Sequence, residues 1–283
     1  RLPIEVCGPM RGGKVTVDGS MSSQFITGLL IALPMAERDT TVEVKGAVST
    51  PYIDMTLQAL SLFGIEIKAE NENTYFIKGN QKYLPTNYTV EGDFSQAAFF
   101  LVMGALGNDI KLRCMNLFSL QGDRKILDDI KALGGSILVG DDYIKATPSN
   151  LSGSTIDFSQ SPDLGPVLSV LASVCDGHTD FINAARLRIK ECDRITCVKE
   201  ELLKLGAIVS ESLDEMHFDG VKALIGSLNL YAHNDHRIAM SLAVASTICD
   251  SPLLIEGAEC VKKSYPHFWS DFRKLGGDFD ELN

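Results

Sequence analysis

The chain of 283 residues lacks the features of two large protein classes. No apolar run reaches the roughly 18 residues that a membrane-spanning helix needs, since the longest candidates, 26–36 and 239–249, show helical periodicity and stop short. Basic residues are not in excess: the net charge of −11 argues against a nucleic-acid binder. A hydrophobic content of 45% with 22% charged residues is typical of globular proteins, and the length fits two domains.

Paired cysteine motifs are also missing. The seven cysteines are odd in number and scattered, with no CxxC pair and no histidine at metal-ligand spacing. The sequence therefore predicts no zinc site and no bound metal. Reduced cysteines in apolar segments favour a reducing, cytoplasmic location.

What the sequence does contain is a repeat of about seventy residues. Four amphipathic helices end in a Leu–Gly or Phe–Gly pair, and the glycines are Gly64, Gly134, Gly206 and Gly276. Glycine after a helix suits the C′ position, where a positive φ costs it little. Around these helices each unit reads strand–helix–strand–helix–strand–strand, which predicts an α/β fold of duplicated βαβαββ units. The loop-like stretch 78–93 predicts an interdomain crossing near Glu91, with one unit before it and three after it.

Polar side chains concentrate at the helix starts, whose free N–H groups favour anions. In VDGSMSSQF, Ser22, Ser23 and Gln24 would lie in the first helical turn, behind a capping Asp18 or Ser20. One serine is enough to cap a helix. The surplus of hydroxyl and amide groups favours a bound phosphate, although capping alone stays open.

Two other helix starts carry a single prominent polar residue. Ser49 precedes Pro51 in STPYIDM, and Asp163 lies between two prolines in SPDLGPV. Either residue can be an ordinary cap. Asp163, ionised beside the helix dipole, could instead serve as a general base.

Cations occupy the remaining helix starts, where the dipole disfavours them. Lys190 and Arg194 lie in RIKECDRI, Arg237 in HNDHRIAM and Lys263 in CVKKSYPHF. The histidines of HNDHRIAM are spaced i, i+3 without a third ligand, which is weak evidence for a metal. Because cations recur at equivalent places in successive units, we expect them to bind an anion.

Five motifs occur in an order typical of one family: VDGSMSSQF, STPYIDMTL, RIKECDRI, YAHNDHRIAM and CVKKSYPHF. Together they resemble 5-enolpyruvylshikimate-3-phosphate synthase, the enolpyruvyl transferase of the shikimate pathway. The resemblance implies an inside-out α/β barrel fold, with two domains each built from three βαβαββ units around a pseudo-threefold axis. It also implies small anionic substrates bound between the domains, no cofactor, no nucleic-acid or membrane partner, and a monomer.

On this resemblance, residues 1–90 are the remaining third repeat of the first domain, and residues 91–283 are the second domain of three repeats. The family's N-terminal third is absent, and the chain opens at Arg1 without a signal-peptide pattern. We therefore expect a fragment that cannot turn over alone. The implied reaction joins phosphoenolpyruvate to the 5-hydroxyl of shikimate 3-phosphate and releases phosphate.

The resemblance also implies a role for each matching residue. Ser22, Ser23 and Ser49 would bind the phosphate of shikimate 3-phosphate, and Gln24 would lie beside both substrates. Asp163 would bind substrate and take the proton from the 5-hydroxyl.

The cations would hold the two anions. Lys190 would bind shikimate hydroxyls, while Arg194, Arg237 and Lys263 would bind phosphoenolpyruvate. Lys263 and Glu191 are the catalytic candidates for protonating its methylene carbon.

One residue departs from the family pattern, and two other functions stay open. Arg186 stands where many members have asparagine, four residues before the motif's lysine. The first alternative is a transferase of the UDP-N-acetylglucosamine type, which shares the repeat architecture but lacks SSQF and RxKExDR. The second is a non-catalytic repeat scaffold whose charged loops bind proteins.

Overall fold

The computed structural model describes residues 3–20 and 22–282. Within these residues the chain forms eight α-helices and thirteen strands. The chain divides into two compact units, one of Arg1–Val90 with Leu120–Gly122 and one of Glu91–Ser119 with Asp123–Asn283. Within the described ranges, no helix is both long and apolar enough to cross a membrane.

The first unit contains one complete repeat. Its elements are β1 (Gly13–Asp18), α1 (Gln24–Ala32), β2 (Thr40–Lys45), α2 (Thr50–Leu62), β3 (Ile67–Asn71) and β4 (Thr74–Ile77). The strands form one sheet in the order β1-β2-β4-β3, in which β1 and β2 are parallel and the other pairs are antiparallel. The predicted βαβαββ order is confirmed here.

The second unit repeats this pattern with variations. Its elements are α3 (Phe94–Ala105), β5 (Leu112–Arg113), α4 (Ile126–Ala132), β6 (Ser136–Val139), β7 (Tyr143–Thr147), β8 (Thr155–Asp157), α5 (Gly165–Ala172), β9 (His178–Ile182), α6 (Arg194–Lys204), β10 (Ile208–Glu211), β11 (Met216–Asp219), β12 (Leu230–Tyr231), α7 (His236–Ser246), β13 (Ile255–Glu256) and α8 (Phe268–Lys274). The sheet β8-β9-β11-β10 has the same strand order and directions as the sheet of the first unit. Two smaller sheets, β5-β7-β6 and β12-β13, belong to the neighbouring repeats. The α/β class of duplicated units is confirmed.

The four glycines that define the repeat all follow helices and have left-handed backbones. Their φ angles are 75° at Gly64, 79° at Gly134 and Gly206, and 99° at Gly276. Any other residue would be strained there, so the sequence periodicity marks real helix ends.

The core of the second unit is built around three helices, α3, α5 and α7, which pack against one another. Their side chains are buried nearly all round, as expected for helices that are apolar on every face. Because these helices are fixed by packing, the residues at the starts of α5 and α7 are held in place. Those starts carry the charged residues described next.

Candidate functional site

A carboxylate surrounded by three cations lies just before α5. Asp163 belongs to the 3-10 turn Pro162–Leu164, which runs directly into that helix. Its Oδ1 atom accepts a hydrogen bond from Arg194 Nη1 at 2.7 Å and lies 3.2 Å from Lys190 Nζ. Arg237 donates from Nη2 to Asp163 Oδ2 at 3.3 Å and from Nη1 to the Asp163 carbonyl at 3.1 Å. The fold therefore brings the predicted base and three predicted anion ligands into direct contact.

Arg194 is the buried centre of this cluster. It is the first residue of α6, which Asp193 caps through its carboxylate. The Arg194 side chain is 1% exposed, and it donates to Asp235 Oδ2 at 2.7 Å and to Glu191 Oε2 at 2.5 Å, as well as to Asp163. The sequence argument attributed a cation at this helix start to an anionic ligand. In the structure the protein's own carboxylates compensate its charge.

The charges of the cluster shift one another's pKa values. Burial would raise the pKa of Asp163, but Arg237, Lys190 and Arg194 outweigh it and hold that pKa well below its ordinary value. Burial likewise favours a higher pKa for Asp235, and Arg194 lowers it instead. Both carboxylates are therefore ionised at neutral pH, and Asp163 is a weak base while its three cations contact it.

A further buried carboxylate interacts with Arg237. Asp123 is 1% exposed and accepts a hydrogen bond from the Ser95 hydroxyl. Burial raises the pKa of Asp123 to about 6, against the opposing charge of Arg237. The sequence analysis missed this residue. Its position in the repeat could have identified it. Asp123 lies in QGDRKI, which precedes the second helix of its repeat, as RIKECDRI precedes the second helix of the next repeat.

Of the two predicted proton donors to carbon, Glu191 contacts Arg194 of the cluster, and Lys263 contacts the loop before α7. Glu191 is partly exposed, and its Oε1 atom is 4.0 Å from His236 Nδ1. Lys263 ends the 3-10 turn Ala258–Lys263, and its Nζ donates to the Asn234 carbonyl at 2.6 Å. Lys263 is therefore held beside the start of α7, with its donor directed at backbone.

Three of the predicted ligands lie at the start of α1 in the first unit. The helix begins at Gln24 with Ser23 as its N-cap, so Ser22 and Ser23 precede the helix and do not lie in its first turn. Ser22 Oγ accepts from the Gln24 backbone N–H at 3.2 Å. The prediction that Asp18 or Ser20 caps this helix is wrong, because the Asp18 carboxylate accepts from the Ser20 N–H at 2.9 Å in a local turn.

The fourth predicted ligand of the first unit is Ser49, the N-cap of α2. Its φ angle is 53°, a left-handed conformation that non-glycine residues adopt rarely. The residue is 5% exposed, and Pro51 lies in the first turn, as the sequence predicts. The backbone here is thus held in an unusual conformation at a helix start.

Comparison with known proteins decides the family. The sequence profile of EPSP synthase (3-phosphoshikimate 1-carboxyvinyltransferase) matches residues 1–272. The chain belongs to the EPSP synthase family.

Individual relatives agree with this assignment. The 3-phosphoshikimate 1-carboxyvinyltransferases of Clostridium kluyveri and of Clostridium botulinum strain Eklund 17B are 48% and 46% identical to it, over 99% and 100% of the chain. An EPSP synthase structure from Acinetobacter baumannii has a TM-score of 0.80 at 26% identity, covering 94% of this chain and 63% of that one. The chain spans 66% of the length of both Clostridium relatives. The family resemblance inferred from the motifs is confirmed.

The other charges of RIKECDRI have structural partners in this member of the EPSP synthase family. Arg188 donates to Asp193 Oδ2 at 2.8 Å and to Glu211 Oε2 at 3.2 Å, which links the turn before α6 to β10. Arg186, the departure from the family pattern, donates from Nη1 to the Ser159 carbonyl at 3.3 Å. The motif thus combines residues of the Asp163 cluster with residues that support its loop.

No site role was predicted for Asp235, although aspartate is a common helix cap. The residue does cap α7, since its carboxylate accepts from the Arg237 N–H at 2.8 Å, and it is fully buried. It also binds Arg194, which lies 41 positions earlier in the chain. The capping part was readable from HNDHRIAM, but the long-range pairing had no local signal.

Proposed function

We propose that this chain serves the reaction of its family, the transfer of the enolpyruvyl group of phosphoenolpyruvate to the 5-hydroxyl of shikimate 3-phosphate with release of phosphate. The observation that carries the proposal is the contact of Asp163 with Lys190, Arg194 and Arg237. Two multiply charged anions must be brought together, and guanidinium forks with a lysine supply the opposing charge. The longer Clostridium relatives bear the name of this activity.

Phosphoenolpyruvate would bind by exchange with the protein's own carboxylates. The side chains of Lys190 and Arg237 are 24% and 11% exposed, whereas Arg194 is 1% exposed. An incoming anion would therefore meet Lys190 and Arg237 first. Arg194 would reach the ligand after Glu191, which is partly exposed, turns away from it. Such an exchange keeps every buried cation compensated throughout.

The same exchange would make Asp163 a stronger base. Its pKa is low because three cations contact it. An anion that takes over those cations withdraws their stabilisation of the carboxylate, so the pKa of Asp163 rises. A higher pKa favours proton transfer from the 5-hydroxyl at the moment both substrates are bound.

The proposed chemistry passes through a tetrahedral ketal. The 5-hydroxyl oxygen bonds to C2 of phosphoenolpyruvate and loses its proton to Asp163, while C3 gains a proton from Lys263 or Glu191. Loss of a proton from the new methyl group and cleavage of the bond from C2 to the phosphate oxygen restore the double bond and release phosphate. Fixed polar groups stabilise the charge that develops. No step requires a metal or an organic cofactor.

The remaining assignments rest on the family. Residues 1–90 would be the third repeat of a first domain, and residues 91–283 a second domain of three repeats. The four polar residues at the starts of α1 and α2 would bind shikimate 3-phosphate. All seven cysteines are free thiols, which supports a cytoplasmic location. A monomer suffices for this scheme.

The test is turnover in a chimera, because the chain spans 66% of its relatives. These 283 residues replace the matching part of the Clostridium kluyveri relative, and phosphate release is followed with both substrates present. We expect turnover that falls at least roughly 100-fold in Arg237→Met and Asp163→Asn. The control is Arg113→Met, which removes an exposed arginine paired with Asp142 at 3.5 Å and should leave the rate unchanged.

Substrate competition separates the alternatives. Shikimate 3-phosphate should raise the melting temperature of the chimera, and UDP-N-acetylglucosamine should not. The reverse pattern would support the nucleotide-sugar transferase. A stable chimera without turnover, in which neither compound shifts the melting temperature, would support a binding scaffold instead.

A further inference from the structure

We propose that His178, Asp180 and His217 form a binding site for one divalent transition-metal ion of the zinc class. The three residues lie on two neighbouring strands of the sheet β8-β9-β11-β10. They share no residue with the Asp163 cluster, and the site does not depend on the proposed transferase function.

The pairing of β9 with β11 places the donors together. The antiparallel register sets Asp180 opposite His217, and His178 opposite Asp219. Side chains two residues apart on a strand share a face, so all four project from one side of the sheet. His178 Nε2 lies 3.0 Å and His217 Nδ1 lies 2.7 Å from Asp180 Oδ1. The ligand atoms of His178, Asp180 and His217 all lie within 4.8 Å of one another.

A second set of carboxylates orients both imidazoles. His178 Nδ1, the ring nitrogen that faces away from Asp180, is 2.7 Å from Asp219 Oδ1. His217 Nε2 is 3.5 Å from Glu215 Oε2. Metal-binding histidines commonly donate their other N–H group to a carboxylate, which fixes the tautomer and raises the basicity of the ligating nitrogen. This pattern is present at His178, and Glu215 lies near the corresponding nitrogen of His217; it is the second observation that points to a metal.

The spacing needs little adjustment. Zinc bonds of about 2.0–2.2 Å in a tetrahedral site place two ligand atoms roughly 3.3 Å apart. The present separations from Asp180 are roughly 0.3–0.6 Å shorter than this, and the two imidazole nitrogens lie within 4.8 Å of each other, so side-chain rotations can admit the ion. The strand backbones can stay in place.

The donor set and the exposure define the class of ion. Two imidazoles and one carboxylate suit zinc, copper and nickel, whereas magnesium and calcium prefer oxygen ligands. The side chains of His178, Asp180 and His217 are 53%, 36% and 31% exposed, so an ion can enter from solvent and keep water as a further ligand. With Asp219 and Glu215 nearby, the local charge also attracts a cation.

The experiment is a calorimetric titration of the 283-residue chain with Zn²⁺ at about pH 7.5, above the ordinary histidine pKa. The background carries Cys7→Ser and Cys114→Ser, because both thiols are exposed and would bind the same ion. We expect one equivalent bound. His178→Ala and His217→Ala should each weaken binding at least tenfold.

Two controls make the result specific. His267→Ala removes an exposed histidine at the N-cap of α8, outside the cluster, and should leave zinc affinity unchanged. Asp219→Asn keeps all three ligands but removes an orienting carboxylate, and it should weaken binding by about 10–100-fold. In NMR spectra, diamagnetic Zn²⁺ should shift the imidazole signals of His178 and His217 but not that of His267.

The competing interpretation is a hydrogen-bond network that only joins the two strands. In that case the histidine variants would lower the melting temperature while zinc affinity stayed the same as in the background protein. That outcome, or the absence of a bound equivalent, overturns the proposal.

Discussion

Replacing Arg194 by methionine removes the cation that the buried carboxylates share. Methionine keeps an unbranched side chain of similar length, so the change deletes charge and hydrogen bonds with little loss of volume. Asp235 is 0% exposed and would lose its ionic partner, while Asp163 would keep Lys190 and Arg237. The perturbation therefore leaves one fully buried carboxylate uncompensated.

The expected loss follows from that burial. Removing one partner of a buried ion pair costs about 3–5 kcal/mol, because the other charge stays desolvated. For a unit of this size, a loss of that order lowers the melting temperature by roughly 6–20 °C. Burial would then raise the pKa of Asp235 above the unfolded value of 3.8, since the lowering by Arg194 is gone. The folded variant would take up a proton at Asp235 more readily than the unfolded chain. The loss of unfolding free energy relative to wild type should therefore be larger at about pH 8 than at about pH 5.

The assay uses the single tryptophan of the chain. Trp269 lies in α8 of the second unit, so its fluorescence during urea unfolding reports on the unit that contains Arg194. Arg113→Met is the matched control: its ion pair is exposed and should contribute about 0–1 kcal/mol. A loss in Arg194→Met below about 1 kcal/mol, or one that is equal at both pH values, would refute the reasoning.

Two further substitutions test other buried carboxylates. The pKa of Asp123 is about 6 in the folded chain, against an ordinary value of 3.8 in the unfolded chain. Between these values the folded state keeps a proton that the unfolded chain has released. The free energy of unfolding therefore falls as pH rises from about 4 to 6. Asp123→Asn removes that dependence. In urea titrations the free energy of unfolding of this variant, relative to wild type, should improve by roughly 2–2.5 kcal/mol between pH 4 and pH 8. A difference that does not change with pH would contradict this. Glu201, 1% exposed, accepts from His233 Nε2 at 2.8 Å, so Glu201→Gln should destabilise the second unit by about 2 kcal/mol in the tryptophan assay. The neighbouring exposed Glu200→Gln is its control and should change little, and equal effects of the two would sink the argument.

Much of the fold was readable from the sequence because its signals are local. A glycine after an amphipathic helix is demanded by the φ angle of that one position, as at Gly64 and Gly206. The boundary of α1 was misplaced because several polar residues in a row could each cap the helix, and only the backbone path assigns that position to Ser23.

The candidate site was predictable in part, and for the same reason. Asp163, Lys190, Arg194 and Arg237 stood out as charged residues at helix starts, each a local feature. Their mutual contacts depend on packing within one repeat and, for Arg237, on packing against the next repeat. The sequence therefore suggested an external anion for cations that the structure pairs with Asp163 and other carboxylates of the chain.

By itself, the sequence determined the repeat, the α/β class, the family and the positions that carry charge, since periodicity and capping act over a few residues. Only the tertiary structure decided which charges meet. Asp235 binds Arg194 across 41 positions, and His217 lies opposite Asp180 because β11 pairs with β9 in one register. A shift of that register by one residue would send His217 to the other face of the sheet. Long-range packing sets such pairings, and no local pattern encodes them.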